Sequence, residues 1–370
     1  MFFRCTKALR LPVTGIFTLS FLIVSYHSAN QLYASMVQRR LGLGETDQEA
    51  LSNKVLTPFT FPTPRKDVAA GEDPLFVLIL SSTPRSGSTF LGEILATQNS
   101  SVYFFEPLHM VRLQPEMQDD VFVTNFIMNK FICNIDSTFD KWLHGKHLFL
   151  SYFSDDTQRC ALLESKSEMI ICYDAIDIRK KCLESKNRIM KLVRARIRSF
   201  KPFLGVESVN LKIVHLYRDP RGIMNSFSRF GDDWIKNHTM WCKGLNDDLT
   251  SYESLSPVYP GNLMQVNYEK LSRDPEKMTK EIFKFVYGSE VLPPASVEYL
   301  ESHTKQDVTG AMSTVKKSSE IYQAWRNVIS DSYLSSIEND SECMISIAKM
   351  KHAFFGSTEM AKNLSLSLFV

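Results

Sequence analysis

The apolar run PLFVLIL, residues 74–80, breaks directly into SSTPRSGSTFLGEIL, residues 81–95. An unbroken apolar segment of that length fits a strand buried on both faces of a parallel sheet. The turn after it is rich in small hydroxyl residues, and Leu91, Ile94 and Leu95 then recur at helical spacing. In an α/β sheet, a strand–loop–helix unit of this kind aims backbone N–H groups at an anion, and the helix dipole favours negative charge there. Gly87 admits close backbone approach, and Ser88 and Thr89 are suited to cap the helix. A nucleotide-hydrolysing loop would read GxxxxGK[ST], with lysine on the terminal phosphates and the hydroxyl on Mg²⁺. Here Ser81 or Ser82 stands where the first glycine should be, no lysine is in register, and Arg85 is the loop's cation. Its planar fork suits bidentate contact with phosphate or sulfonate oxygens and needs no metal.

A second corner of the same kind follows in LKIVHLYRDPRGIMNSFSR, residues 211–229. Arg218 sits at a strand end, a Pro-containing turn follows, and Ile223, Phe227 and Phe230 recur at helical spacing, with Ser226 on that helix. Two strand-to-helix anion corners, without the Walker lysine or acidic metal ligands, suit a ligand that is anionic at both ends. SVYFFEPLHM, residues 101–110, is a further apolar run ended by Pro107, and NRIMKLVRARIRSF, residues 187–200, reads as a basic helix. Alternating strand and helix patterns predict one α/β domain over 74–370, its sheet mainly parallel and flanked by helices.

The N-terminus predicts a membrane anchor. Arg4, Lys7 and Arg10 precede the apolar stretch LPVTGIFTLSFLIVSY, and no charge reappears before Arg39. Basic flank followed by apolar run marks a signal anchor with residues 1–10 cytoplasmic, 11–29 spanning, and the remainder lumenal. A cleaved signal ending near Ala29 is the alternative. Residues 30–73, mixed in polarity and without an apolar face, read as a stem. A lumenal location suits the glycosylation triplets at Asn99, Asn237, Asn339 and Asn363. Setting Cys5 aside, it also leaves six of the seven cysteines free to pair as disulfides, Cys242 with Cys343 being one pairing on offer. The formal net charge of +2 is too small to indicate nucleic acid, so anion binding must come from local clusters.

Taken in order, STPRSGSTFLGEIL, YFFEPLHM, IMKLVRARIR, LKIVHLYRDPRGIMNSFSR and VNYEKLSRDPEK resemble the carbohydrate sulfotransferases. Within them the sequence is most similar to the Golgi galactose/N-acetylgalactosamine/N-acetylglucosamine 6-O-sulfotransferases, over residues 74–345. The resemblance implies a P-loop-like sulfotransferase domain, 3′-phosphoadenosine 5′-phosphosulfate (PAPS) as co-substrate, no metal, and a glycan or glycosaminoglycan acceptor. It implies that Arg85, Ser86, Gly87, Ser88, Thr89 and Phe90 form the 5′-phosphosulfate loop. Arg218 and Ser226 match the 3′-phosphate pair, and Ala324–Arg326 resembles a late element near the nucleotide. It further implies a single-pass type II protein of the Golgi membrane, and is compatible with a homo-oligomer. The stretch 110–205 departs from the family except at IMKLVRARIR, which places the choice of acceptor there. A heparan or protein-tyrosine acceptor, or a non-catalytic lumenal glycan-binding protein, are the alternative readings.

Sulfuryl transfer needs in-line positioning, charge stabilisation and a base for the acceptor proton. Glu106, followed by Pro107, is the first candidate base, and Arg85 is the group that neutralises the leaving phosphate. An ion pair with a loop arginine is the structural alternative for Glu106. His109 and Asp174 stand behind it as bases, whereas His215, inside an apolar run, reads as a core histidine. Lys191 and Arg194 either line the cleft or occupy a solvated helix face.

Overall fold

Leu75–Ser81 forms β1, and its apolar run serves two cores at once. Side chains alternate along a strand. Phe76, Leu78 and Leu80 therefore join a core with Val123, Ile127 and Phe131, while Val77 and Ile79 join another with Leu91, Ile94, Ile282 and Phe283. The structure, a computed structural model, describes residues 73–227, 237–305 and 314–370. The expected tail (1–10), anchor (11–29) and all but the end of the stem lie outside the described residues, as does Phe230. No described helix is long and apolar enough to cross a membrane.

The other strands are β2 (Ser101–Phe105), β3 (Asn187–Leu192), β4 (Leu211–Tyr217) and β5 (Leu263–Asn267). They pair in parallel in the order β2-β3-β1-β4-β5, so every carboxyl end lies along one edge of the sheet. Register is set by pairs such as Ile79 with Lys191 and with Val214, and Tyr217 with Asn267. Helix α1 (Ser88–Ala96) follows β1, α2 (Asp120–Phe131) follows β2, and α3 (Pro220–Phe227) follows β4. Further on, α4 (His238–Leu255) leads to β5, and α5 (Pro275–Tyr287), α6 (Asp331–Glu338) and α7 (Ser341–Lys349) follow it.

One expectation fails: residues 187–192 are strand β3, not a basic helix. The site between β1 and β2 is buried on both faces, and Ile189 serves one core while Met190 and Leu192 serve the other. The basic residues that suggested a wetted face are buried with partners. Arg188 is 6% exposed and donates to the carbonyls of Phe131 (2.6 Å) and Cys182 (3.2 Å). Lys191 is 4% exposed and reaches Glu106.

All six cysteines beyond Cys5 are paired, as Cys133–Cys182, Cys160–Cys172 and Cys242–Cys343. The first two staple the helical segment 107–184 over the β2 edge. The third joins α4 to α7 across a separation of 101 residues. Cross-linking so long a loop restricts the unfolded chain, so replacing Cys242 and Cys343 with serine should lower stability by about 4 kcal/mol. Urea denaturation checks this; an unchanged midpoint would mean the bridge contributes nothing.

Candidate active site

The site is assembled from the carboxyl ends of all five strands, where a parallel sheet presents its loops to a ligand. After β1, the loop is shaped from within. Thr83 and Ser86 bond to each other through their hydroxyls (2.9 Å), and Ser86 Oγ donates to the Thr83 carbonyl (2.9 Å). Arg85 and Gly87 both adopt positive φ, 64° and 86°. For arginine this conformation costs on the order of 1 kcal/mol and persists because the surroundings impose it. Gly87 is doubly required: a Cβ there would lie 2.8 Å from the Tyr268 ring. The N-cap of α1 is Gly87 and not, as expected, Ser88 or Thr89, and no side chain caps the helix. Its first N–H groups are therefore not satisfied by a cap, which leaves donors for an anion.

The corner after β4 closes onto this loop. Arg218 Nη1 donates to the Arg85 carbonyl (2.7 Å), and Arg85 Nε donates to Ser226 Oγ (3.2 Å). Residues 133 and 141 apart in sequence thus meet at one point. Tyr268, first residue after β5, lies under the Arg218 guanidinium at 4.1 Å, stacking it by cation–π attraction. Arg218 Nε is buried with no acceptor among the described residues. Asp219 does not pair with Arg218. It instead accepts from Arg221 Nε (3.0 Å) and Nη2 (2.7 Å) and from His352 Nδ1 (2.8 Å), all fully buried or nearly so. Burial alone would raise the Asp219 carboxyl, but the Arg221 charge outweighs it and holds the group far below the ordinary carboxylate range. Arg221 continues to Glu338 (2.5 Å) and the Ala353 carbonyl (2.8 Å), so the C-terminal segment clamps the turn that carries Arg218.

Glu106, after β2, has φ 45° and is clamped between two cations. Lys191 Nζ approaches Oε1 at 2.8 Å and Arg194 Nη1 approaches Oε2 at 2.9 Å. The expected alternative for this residue, an ion pair with an arginine, is thus present, joined by a lysine. Burial would raise the Glu106 carboxyl; Lys191 and then Arg194 overcome it and hold the group below its ordinary value. Lys191 also donates to Thr89 Oγ1 (3.0 Å), which ties Glu106 to the β1 loop. Lys191 and Arg194 thus meet at Glu106, Lys191 from strand β3 and not from a solvated helix face.

Other expectations sort cleanly. Phe90 packs its ring against Tyr299 (5.5 Å) and Ser88 is buried, so these two serve the loop's seating. Arg112 donates to His109 Nδ1 (3.1 Å), and arginine cannot accept, so His109 carries its proton on Nε2. Burial and the Arg112 charge lower that imidazole to about 4, so it is neutral at pH 7, and the one ring nitrogen that could accept a proton, Nδ1, is already taken by Arg112. Asp174 is exposed at the end of helix Lys166–Asp174. His215 is a core histidine, bonded to Ser82 Oγ (2.7 Å) and Gln265 Nε2 (3.2 Å). Arg326 is spent on the carbonyls of Ala361 (2.6 Å), Leu366 (3.0 Å) and Asn363 (2.8 Å), so it anchors the C-terminus. Its neighbour Trp325 lies beside Arg221 and Gly222. Tyr268 went unpredicted, although an aromatic residue directly after the LMQVN segment was the available signal.

Residues 77–336 match the sulfotransferase domain family. The chain belongs to this family. The matched residues span both loops, Glu106 and the whole sheet except Leu75 and Phe76, and stop just short of Glu338. Among curated relatives, carbohydrate sulfotransferase 1 of Danio rerio is 24% identical over 349 residues, covering 79% of this chain and 81% of that protein. Human carbohydrate sulfotransferase 5 is 22% identical over 307 residues, covering 70% and 74%. The solved sulfotransferase domain of the Synechococcus PCC 7002 olefin synthase aligns with 81% of this chain and 98% of its own, at 15% identity and TM-score 0.39. The protein is a sulfotransferase enzyme related to the carbohydrate sulfotransferases.

Proposed function

We propose that this sulfotransferase moves the sulfuryl group of PAPS to a hydroxyl of a glycan, a 6-hydroxyl of galactose, N-acetylgalactosamine or N-acetylglucosamine. The observation that carries the reading is the junction of Arg85, Arg218 and Ser226 where β1 and β4 end. It provides cations for both ends of a bis-anionic nucleotide. The residues fit such a donor: a buried donor without acceptor, as at Arg218 Nε, costs about 1–3 kcal/mol until an anion oxygen fills it. The uncapped α1 N-terminus suits the 5′ end in the same way. The glycan class comes from the related carbohydrate sulfotransferases. The tail, anchor and stem read from residues 1–73 would hold the domain 74–370 in the Golgi lumen, where such acceptors are made.

The donor supplies the sulfuryl group and leaves as the bisphosphate. Arg85, the α1 N–H groups and Lys191 stabilise the charge that gathers on the leaving 5′-phosphate and the transferring group. Glu106, ionised at neutral pH, accepts the acceptor's proton. A carboxylate so stabilised is a weak base, which suits a proton released late, as the acceptor oxygen closes on sulfur. Its two cations hold it in place for that task.

Converting Arg218 and Ser226 together to alanine should weaken binding of 3′-phosphoadenosine 5′-phosphate by at least about a hundredfold. Adenosine 5′-phosphosulfate, which lacks the 3′-phosphate, should lose far less. Titration calorimetry with both ligands decides. Equal losses would mean that the pair acts by holding Arg85 and does not read the 3′-phosphate.

A further inference from the structure

Bonds inside the β1 loop, from Ser81 Oγ to the Thr83 carbonyl (2.6 Å) and between Thr83 and Ser86, fix its curl but not its tilt against the sheet. The tilt is set at Ser82, a fully buried residue on which groups from three other segments converge. The first is His215, which stands beside Leu80 in the β1–β4 register. The Gln265 amide donates to its Nδ1 (3.2 Å), so the ring proton sits on Nε2 and is donated to Ser82 Oγ (2.7 Å). Burial, and then the Arg196 charge, lowers this imidazole to about 3, so it remains a neutral, one-way donor. The Ser82 hydroxyl in turn gives its own proton to the buried Asp248 carboxylate of α4. Asp248 also accepts from the Ile197 N–H (2.9 Å) and from Arg196 Nη1 (3.0 Å), and the same Nη1 donates to the Ser82 carbonyl (3.2 Å).

A single polar relay thus runs from β5 through β4 and the end of β1 to α4 and the segment after β3. Imidazole and carboxylate are costly to bury unless each finds its partners, and an apolar side chain at 215 would fill the strand without that cost. What the relay holds is the root of the loop that carries Arg85 and opens α1. Arg196 lies against α4 because residue 244 is glycine: a Cβ there would collide with Arg196 Nη2. We propose that His215, Asp248 and Arg196 are positioning residues that, acting through Ser82, keep the β1 loop in its anion-binding form before the donor arrives. A loop already in its bound shape loses little conformational entropy when the nucleotide docks, so the relay acts on donor affinity. The inference rests on the donor reading above.

The test is calorimetric titration of the full chain with 3′-phosphoadenosine 5′-phosphate, joined to amide hydrogen exchange over residues 81–90. Ser82→Ala removes the junction. Gly244→Ala displaces the flexible end of Arg196 with a residue that suits a helix interior. Each should weaken Kd by about tenfold or more at unchanged stoichiometry, the range for a buried hydrogen-bonding group left unmatched. Exchange in the free loop should speed up and return to the wild-type rate once the nucleotide saturates the site, while exchange in β3 stays as in wild type. His215→Gln, whose amide N–H still reaches toward Ser82, should keep most of the affinity that His215→Leu loses. Wild-type Kd in both Ser82→Ala and Gly244→Ala would overturn the proposal. So would a loss that appears only as fewer binding sites, with faster exchange throughout the sheet, or a glutamine variant as weak as the leucine one. Failure of the wild-type chain to bind the nucleotide at all would overturn the donor reading as well.

Discussion

Arg85→Ala should weaken binding of 3′-phosphoadenosine 5′-phosphate at least about a hundredfold and remove measurable transfer. The size follows from position. Arg85 is the cation of the β1 loop, its backbone is held left-handed, and it joins both corners through the Arg218 and Ser226 bonds. Removing it deletes a charge-assisted contact to the donor and loosens the corner that reads the other end of the nucleotide. Arg85→Lys is the informative partner. It keeps the charge but loses the fork, and should recover only part of the affinity. Calorimetry measures both; wild-type affinity in the alanine variant would remove Arg85 from the donor site.

Glu106→Gln should leave donor affinity near wild type while kcat falls by at least about a hundredfold, the range expected when a general base is lost. The substitution is close to isosteric, yet it removes the charge that Lys191 and Arg194 share. The pH dependence has a definite sign. Glu106 is held below the ordinary value of 4.5, so the acid limb of kcat/KM should lie below that pH. The stabilisation from its ion pairs is present above the unfolded carboxyl value and disappears as pH falls through the lowered folded one. A limb near neutrality would point to a different base. Near-normal turnover in Glu106→Gln would leave this residue as the clamp on Lys191 and Arg194 alone.

The two strand–turn–helix corners were legible because each is local: an apolar strand, a turn carrying arginine, and helical spacing afterwards. Their meeting was not, since the bonds that join Arg85 to Arg218 and Ser226 depend on β1 and β4 being neighbours. Strand β3 was misread for a physical reason. Arg188 and Lys191 are charges that a solvated helix would explain, and only tertiary acceptors such as the Phe131 carbonyl and Glu106 let them be buried in a strand. The same holds for the clamp on Asp219. His352, which bonds to Asp219, and Glu338, which bonds to Arg221, lie more than a hundred residues downstream, in a stretch with no motif of its own. The six cysteines announced disulfides but not, from spacing, which ones, and the Cys242–Cys343 bridge agreed with the one pair on offer.

The most direct measurement is transfer of labelled sulfate from PAPS by the full chain to galactose-, N-acetylgalactosamine- and N-acetylglucosamine-containing glycans, with the labelled position mapped by mass spectrometry. Label on a 6-hydroxyl of one of these sugars, lost in Arg85→Ala, is the predicted result. Binding of 3′-phosphoadenosine 5′-phosphate without transfer to any glycan would contradict the acceptor assigned here. Transfer that persists in Arg85→Ala would contradict the donor site itself.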